Sequence, residues 1–420
     1  MRVLLMAFPT RTHIYSLAPL GWALRAAGHE VRFVGRRNPS EVGSYLETGL
    51  DTMWFGPELD IPRHRKLGGD DRNPMDGEFK ISETREEKYT EEYVRETYER
   101  WTHVFGWASP PQLLDELARF ARRWKPDLVV WDPMVYAGPL IARVTGAAHL
   151  RVMYAADQTA RISAQFQELR ASRPEAEREP DPLVEWMDGW LGKHGESFDE
   201  ELRFGMTTLD PQPACVRFPL DVAYRPVRFV PVNRPLSIPR WVVERPARPR
   251  VMLTLGVSNR QVLGQEEASV TDLLNGLAEL DIEVVATLTA EQLASVEKVP
   301  DNVHAVDFVP MNELLPTCAA IVHQGGGATI GNAGVHGVPQ LIVPGTTWSE
   351  RASALALAKQ GSGLFVDLED ITPAAIRTGV ARLVEEPSFA DAAGELRREM
   401  TERPTFGDIV PELEAAVAAR

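Results

Sequence analysis

Cysteine is nearly absent: the 420 residues hold only Cys215 and Cys318. Two thiols so far apart in sequence make no disulfide framework, and no Cys/His spacing resembles a zinc site. A reducing compartment is the simple reading. No apolar run approaches the ~20 residues of a membrane span. The opening Met1–Phe8 is too short for the core of a secretion signal, so a soluble, cytoplasmic protein is expected. Positive charge is in deficit too, with 45 Lys and Arg against 60 Asp and Glu, a formal net charge of −15. That balance excludes sequence-independent nucleic-acid binding, which needs a basic surface, and disfavours an anionic membrane. It still permits a local anion site built from backbone N–H groups. Hydrophobic residues at 44% and charged residues at 25% are ordinary for a soluble enzyme. The length suits two domains of roughly 100–200 residues each.

Short all-apolar runs alternate with amphipathic stretches. Val3–Phe8 reads as a buried parallel strand. Ser16 reads as the cap of the next helix, whose stripe is Leu17, Leu20, Leu24 and Ala27, and Gly28 stops it before a strand at Val31–Val34. Further elements are a helix over Ser40–Thr48, a strand near Thr52–Phe55, a helix with Val94, Tyr98, Trp101 and Phe105 on one face, a helix over Pro110–Trp124, and strands at Leu128–Trp131 and Leu150–Tyr154. Between Gly56 and about Ser82 periodicity is lost. From Thr159 to about Gly205 the chain reads as helical and charged. Prolines then cluster, placing a linker at 234–249. From Arg250 the alternation restarts, with strands expected at Val251–Leu255, Ile282–Thr287, His304–Phe308, Ala320–His323, Leu341–Val343 and Gly363–Val366. The expectation is an α/β chain: an N-terminal domain (1–233), the linker, a C-terminal domain (250–400), and a last helix (401–420) packing back on the first domain. Two such sheets leave a cleft between their ends, where ligands bind.

Three places carry candidate chemistry. In His323-Gln324-Gly325-Gly326-Gly327-Ala328-Thr329 an apolar strand feeds a glycine turn that opens a helix. Such a turn lets a diphosphate approach the backbone and meet the helix N–H groups, with His323 and Thr329 as side-chain donors. A tight turn without a ligand is the plainer alternative. The spacing is not the dinucleotide fingerprint, since Ile330 stands where its third glycine would be. His13 follows the first strand, and an imidazole suits a general base acting on an alcohol. By itself it also reads as an ordinary loop histidine. Asp132 ends the Leu128–Trp131 strand and reads equally as an orienting carboxylate for His13 or as a helix N-cap.

Together these segments resemble the nucleotide-sugar-dependent glycosyltransferases with two facing Rossmann-like domains (GT-B type), most of all the bacterial enzymes that attach dTDP-deoxysugars to macrolide or aromatic polyketide aglycones. The resembling residues are Thr12-His13, Pro19 to Val31, Trp124 to Asp132, Leu253 to Ser258, Phe308-Val309-Pro310-Met311, the His323 glycine motif, and His336-Gly337-Val338-Pro339-Gln340. The resemblance implies that His13 is the base for the acceptor hydroxyl and Asp132 its acidic partner. It puts Phe308 against the nucleobase and pairs the backbone at Val309 with it. The diphosphate falls to His323, Gly325, Gly326, Gly327, Ala328 and Thr329, with Thr254, Gly256 and Ser258 in the facing loop. Trp348, Ser349 and Glu350 fall near the donor sugar. Trp54, Asp157 and Gln158 are candidate acceptor contacts, with surface-loop residues as their plainer reading.

The family's glycine motif reads His-His-Gly-Gly-x-Gly-Thr. Here Gln324 replaces the second His and Ala328 the last Gly, while Thr329 survives. Plant members carry a Glu near Asn332, and its absence is compatible with a deoxyribose donor. The implied reaction is an inverting, metal-independent transfer from a dTDP-deoxysugar, with no cofactor. A helper protein resembling a cytochrome-type monooxygenase and a homodimer are the partners it suggests. A nucleotide-sugar 2-epimerase and a non-catalytic binding partner of a transferase are the alternatives.

Overall fold

The computed structural model describes residues 1–59, 61, 81, 83–256 and 267–420. The first sheet contains β1 (Arg2–Met6), β2 (Glu30–Gly35), β3 (Asp51–Trp54), β4 (Leu128–Trp131), β5 (Ala148–Val152), β6 (Thr208–Asp210) and β7 (Tyr224–Pro226), in the order β3-β2-β1-β4-β5-β6-β7. The second contains β8 (Arg250–Thr254), β9 (Glu283–Thr287), β10 (Val303–Val306), β11 (Cys318–His323), β12 (Gln340–Ile342) and β13 (Gly363–Phe365), in the order β10-β9-β8-β11-β12-β13. All strand pairs are parallel. The chain therefore has the α/β architecture of two Rossmann-like sheets.

The reason lies in the strands' two-sided burial. Along β1, Val3 and Leu5 enter one core while Leu4 and Met6 enter the core on the opposite face. In β8, Val251 and Leu253 likewise part from Met252. Successive side chains of a strand point to opposite faces, so a run apolar at every position needs helices on both sides, and right-handed crossovers supply them. In each sheet the strand order reverses once, between β1 and β4 and between β8 and β11. The loops leaving the carboxyl ends of those strands diverge and open a crevice.

One boundary moves. The first helix runs from Arg11 to Ala26, five residues ahead of the expected Ser16 cap. Thr10, with extended backbone, accepts the Ile14 amide at 3.1 Å, and Ser16 Oγ instead donates to the Thr12 carbonyl inside the helix. Buried Ile14 extends the apolar stripe back by a turn, and this decides where the helix begins. His13 consequently stands in a helical first turn, not in a loop. The charged stretch from Thr159 to Gly205 resolves into helices Gln158–Ala171 and Pro182–Leu191 joined by short turns. The expected stripe of Val94, Tyr98, Trp101 and Phe105 is buried on the Glu91–Ala108 helix.

After the second sheet the chain returns to the first. In the last helix, Phe406–Ala418, the buried Phe406, Ile409, Val410 and Leu413 share a core with Val3, Leu5, Ile14 and Leu17. The Arg225–Glu412 ion pair (2.7 Å) and the close approach of His29 Nε2 to Glu414 (2.9 Å) lie along its outer edge. Phe406→Ala is therefore expected to cost about 3–5 kcal/mol. Amide exchange should accelerate in β1 and the Arg11–Ala26 helix and stay slow in β8, although residue 406 follows both sheets in sequence.

Candidate active site

The first switch point holds a histidine and a carboxylate. Asp132, fully buried at the end of β4, accepts the Phe8 amide and, at 2.7 Å, the Met134 amide. Its Oδ2 lies 3.2 Å from His13 Nδ1. Two backbone donors on separate loops thus pin the carboxylate, and the carboxylate fixes which imidazole nitrogen faces inward, leaving Nε2 for another partner. The imidazole packs on the Phe8 ring (centroids 5.5 Å apart) and closely on Tyr154 (3.9 Å, tilted 43°). Its side chain is only 12% exposed, so access to it is narrow.

The second switch point holds the glycine turn. Gly325 has φ of 91°, a left-handed conformation that side chains disfavour. Its amide donates to His323 Nδ1 at 3.0 Å, so Nε2 carries the hydrogen and meets Gln340 Oε1, also at 3.0 Å. Burial lowers the His323 imidazole to about 4, leaving it neutral. Both ring nitrogens are spent inside the protein. His323 thereby shapes the turn on which the diphosphate expectation rests. Gly326 caps the Gly327–His336 helix without any side-chain cap, which leaves the first-turn amides at Gly327 and Ala328 to meet an anion. Thr329, nearly buried, sits in that turn with its own amide on the Gly326 carbonyl at 2.9 Å. From the facing loop, Gly256 lies under the Gln324 side chain, and Thr254 Oγ1 accepts from Thr287 at 2.7 Å, bracing the end of β8. Ser258 lies outside the described residues.

The two switch points meet. A Cβ on Gly327 would lie 2.2 Å from the Tyr154 carbonyl oxygen and 2.7 Å from Ala155 Cα, so the absence of a side chain there lets the second sheet's turn press on the loop after β5. Trp348, from the second half, is seated in the first half's core, edge-on to Trp101 at 4.7 Å, with its indole N–H on the Ala156 carbonyl. Gln158 Nε2 donates to the Trp348 carbonyl at 3.0 Å. His13 and the glycine turn are thus separated by little more than Tyr154.

Other candidates have different surroundings. Asp157 is buried, paired with Arg151 at 2.6 Å, and also accepts from Tyr224, Thr159 and the Ala160 amide. These bonds hold the Gln158–Ala171 helix and β5 together. Gln158 braces Trp348, and Trp54 packs edge-on against Tyr45 at 4.8 Å in the core around the Arg11–Ala26 helix. Each of these three side chains finds a protein partner that spacing along the chain does not reveal. Val309 is buried in the second half's core, and Phe308 is half-buried with the Arg234 guanidinium 4.2 Å over its ring. Ser349 is buried as the residue before the Glu350–Gln360 helix. Glu350 packs against Gly325, and its Oε2 accepts the Trp348 amide at 2.7 Å. Burial raises its carboxyl to about 7, against the pull of the Glu350 and Trp348 amides and with added repulsion from Glu267. Tyr154 is the site residue that sequence reading passed over. Its only signal was its place at the carboxyl end of an apolar run.

Among the described residues there is no group of three or more His, Cys, Asp or Glu able to hold a metal, and no helix is long and apolar enough to cross a membrane. Residues 22–256 match the family model for the N-terminal domain of erythromycin biosynthesis protein CIII-like proteins, and residues 271–416 match that for the C-terminal domain. The chain is 42% identical to the aclacinomycin-T 2-deoxy-L-fucose transferase of Streptomyces galilaeus, covering 100% of this chain and 96% of that one. It is 41% identical to the 10-deoxymethynolide desosaminyltransferase of Streptomyces venezuelae, covering 100% and 97%. In structure it resembles the glycosyltransferase VinC in complex with dTDP, with a TM-score of 0.88, 38% identity and full coverage of both chains.

Two outcomes follow from this geometry. Gly327→Ala should destabilise the native state by about 1–3 kcal/mol, because the added methyl meets backbone and not a movable side-chain end; thermal denaturation reads it. Glu350 supplies a pH test. Below about 4.5 its carboxyl is neutral in both folded and unfolded chains, and between there and about 7 only the unfolded chain ionises. The stability associated with its neutral form is therefore whole below 4.5 and lost as pH rises to 7, a loss on the order of 3 kcal/mol. Glu350→Gln lacks this loss, so it should gain on the wild type in urea unfolding between pH 4.5 and 7.5.

Proposed function

As the chain belongs to the family of erythromycin biosynthesis protein CIII-like glycosyltransferases, we propose that it moves a deoxysugar from a dTDP donor to a hydroxyl of a polyketide-type aglycone, with inversion at the anomeric carbon. The observation that carries the mechanism is the His13–Asp132 pair at 3.2 Å on one switch point, set across Tyr154 from the glycine turn on the other. The activities named for the relatives are transfers, which speaks against the 2-epimerase and the non-catalytic alternatives.

In this reading His13 Nε2 takes the proton of the acceptor hydroxyl. The imidazolium is stabilised by Asp132, whose charge the Phe8 and Met134 amides hold in place. The freed oxygen attacks the anomeric carbon as the bond to the diphosphate breaks. The growing negative charge is met by the first-turn amides of the Gly327–His336 helix, fixed dipoles that need no reorganisation. The leaving group's charge is thereby answered without a metal. Phe308 would lie against the nucleobase once the Arg234 guanidinium moves aside or stacks beyond it. The reaction belongs in the cytoplasm. The cytochrome-like helper and a homodimer are kept as candidate partners, and full activity of a monomer purified alone would remove both.

Replacing His13 by Ala should lower turnover by roughly 10²–10⁴-fold while leaving dTDP affinity within a small factor. Mass spectrometry of products from dTDP-deoxysugars and polyketide aglycones measures the first, and calorimetry with dTDP the second. Wild-type turnover in that variant sinks the base assignment.

A further inference from the structure

Tyr154 belongs to neither half of the proposed chemistry, yet it touches both. Its ring lies 3.9 Å from the His13 imidazole and 5.7 Å from the Trp348 indole. Its carbonyl oxygen stands where a Cβ on Gly327 would be, and accepts from Gln212 Nε2 at 3.2 Å. The next residues of the same loop bind Trp348 twice, through the Ala156 carbonyl and the Gln158 side chain. Among the described residues the imidazole has one hydrogen-bond anchor, Asp132, on one edge. A single bond at 3.2 Å restrains the ring at that edge alone. The flanking rings of Phe8 and Tyr154 supply the remaining restraint, and Tyr154 is much the nearer.

We propose that Tyr154 is a positioning residue that sets the His13 imidazole only when the glycine turn and Trp348 of the second half are seated on the loop after β5. Donor-side closure and the alignment of the base are then one event. The Tyr154 ring acts by contact and not by proton transfer. Burial and the neighbouring Asp132 and Glu350 carboxylates raise its phenol well above the ordinary value, so it stays neutral. The inference rests on His13 being the base.

The test uses the full chain. Signals of the His13 imidazole, assigned by comparison with His13→Ala, are titrated by NMR in the wild type, Tyr154→Ala and Tyr154→Phe, alongside turnover and calorimetry with dTDP. Tyr154→Ala should shift the His13 titration and lower kcat by roughly 10–100-fold, the cost of a misplaced reacting group, with dTDP affinity retained as proof of folding. Tyr154→Phe, which keeps the ring, should restore the titration and most of the lost turnover. An unchanged His13 titration and kcat in Tyr154→Ala overturns the inference. So does a Tyr154→Phe variant as impaired as the Ala variant, since the hydroxyl and not the ring would then be acting. A fully active His13→Ala would instead bring down the base reading itself, whereas an inactive one beside an unaffected Tyr154→Ala removes only the role of Tyr154.

Discussion

A hydrogen atom in place of a methyl at Gly327 lets the two halves of this chain touch where they do. With that position bare, the turn after β11 comes down on the Tyr154 carbonyl and Ala155. Trp348 can then seat its indole in the first half's core. The contact is between backbone and backbone, so neither side can yield by changing a rotamer. The approach of a histidine on one sheet to a row of helix amides on the other is thereby set, when the halves are seated, by van der Waals contact of backbone on backbone.

The contact matters because of what the parallel sheets do to their loops. Each sheet reverses its strand order once, and at that point the loops from adjacent strands turn in opposite directions and leave a crevice. In the first sheet the crevice holds His13 and Asp132; in the second it holds Gly256 and the His323–Gly327 turn. A histidine paired with a carboxylate and a helix end without a side-chain cap are thereby brought to either side of Tyr154. The returning helix Phe406–Ala418 strengthens the arrangement, because the chain's end is buried in the first half's core and so ties the second half at both its beginning and its finish.

The buried polar groups divide by the same geometry. Asp132 and Asp157 both end up beside strand ends in the first half and are both buried. Asp157 meets a full guanidinium and three more donors, which makes it a structural pivot. Asp132 meets two amides and an imidazole that still has a nitrogen to offer. His323 and His13 differ in the same sense: among the described residues one has both nitrogens occupied, the other only one. Spare capacity at a cleft marks a group able to do chemistry, and complete satisfaction marks one that holds the scaffold.

Local pattern determined the strands, since runs such as Leu128–Trp131 and Val251–Leu253 are apolar at every position and suit burial between two layers of helix. It determined the glycine turn as well, because a strand, three glycines and a helix admit few backbone paths. His13 and Asp132 were legible as candidates because both follow such strands at the carboxyl edge. Local pattern could not say that the first helix begins at Arg11, that His323 would spend both nitrogens on Gly325 and Gln340, or that Asp157, Gln158 and Trp54 would be taken up by Arg151, Trp348 and Tyr45. Those outcomes depend on partners up to 190 positions away in the chain. Tyr154 is the clearest case: a residue with no motif of its own becomes central only because elements of both sheets pack on it. Periodicity is a property of neighbours along the chain, whereas the occupancy of a hydrogen-bonding group is decided by whatever tertiary packing brings within 3 Å.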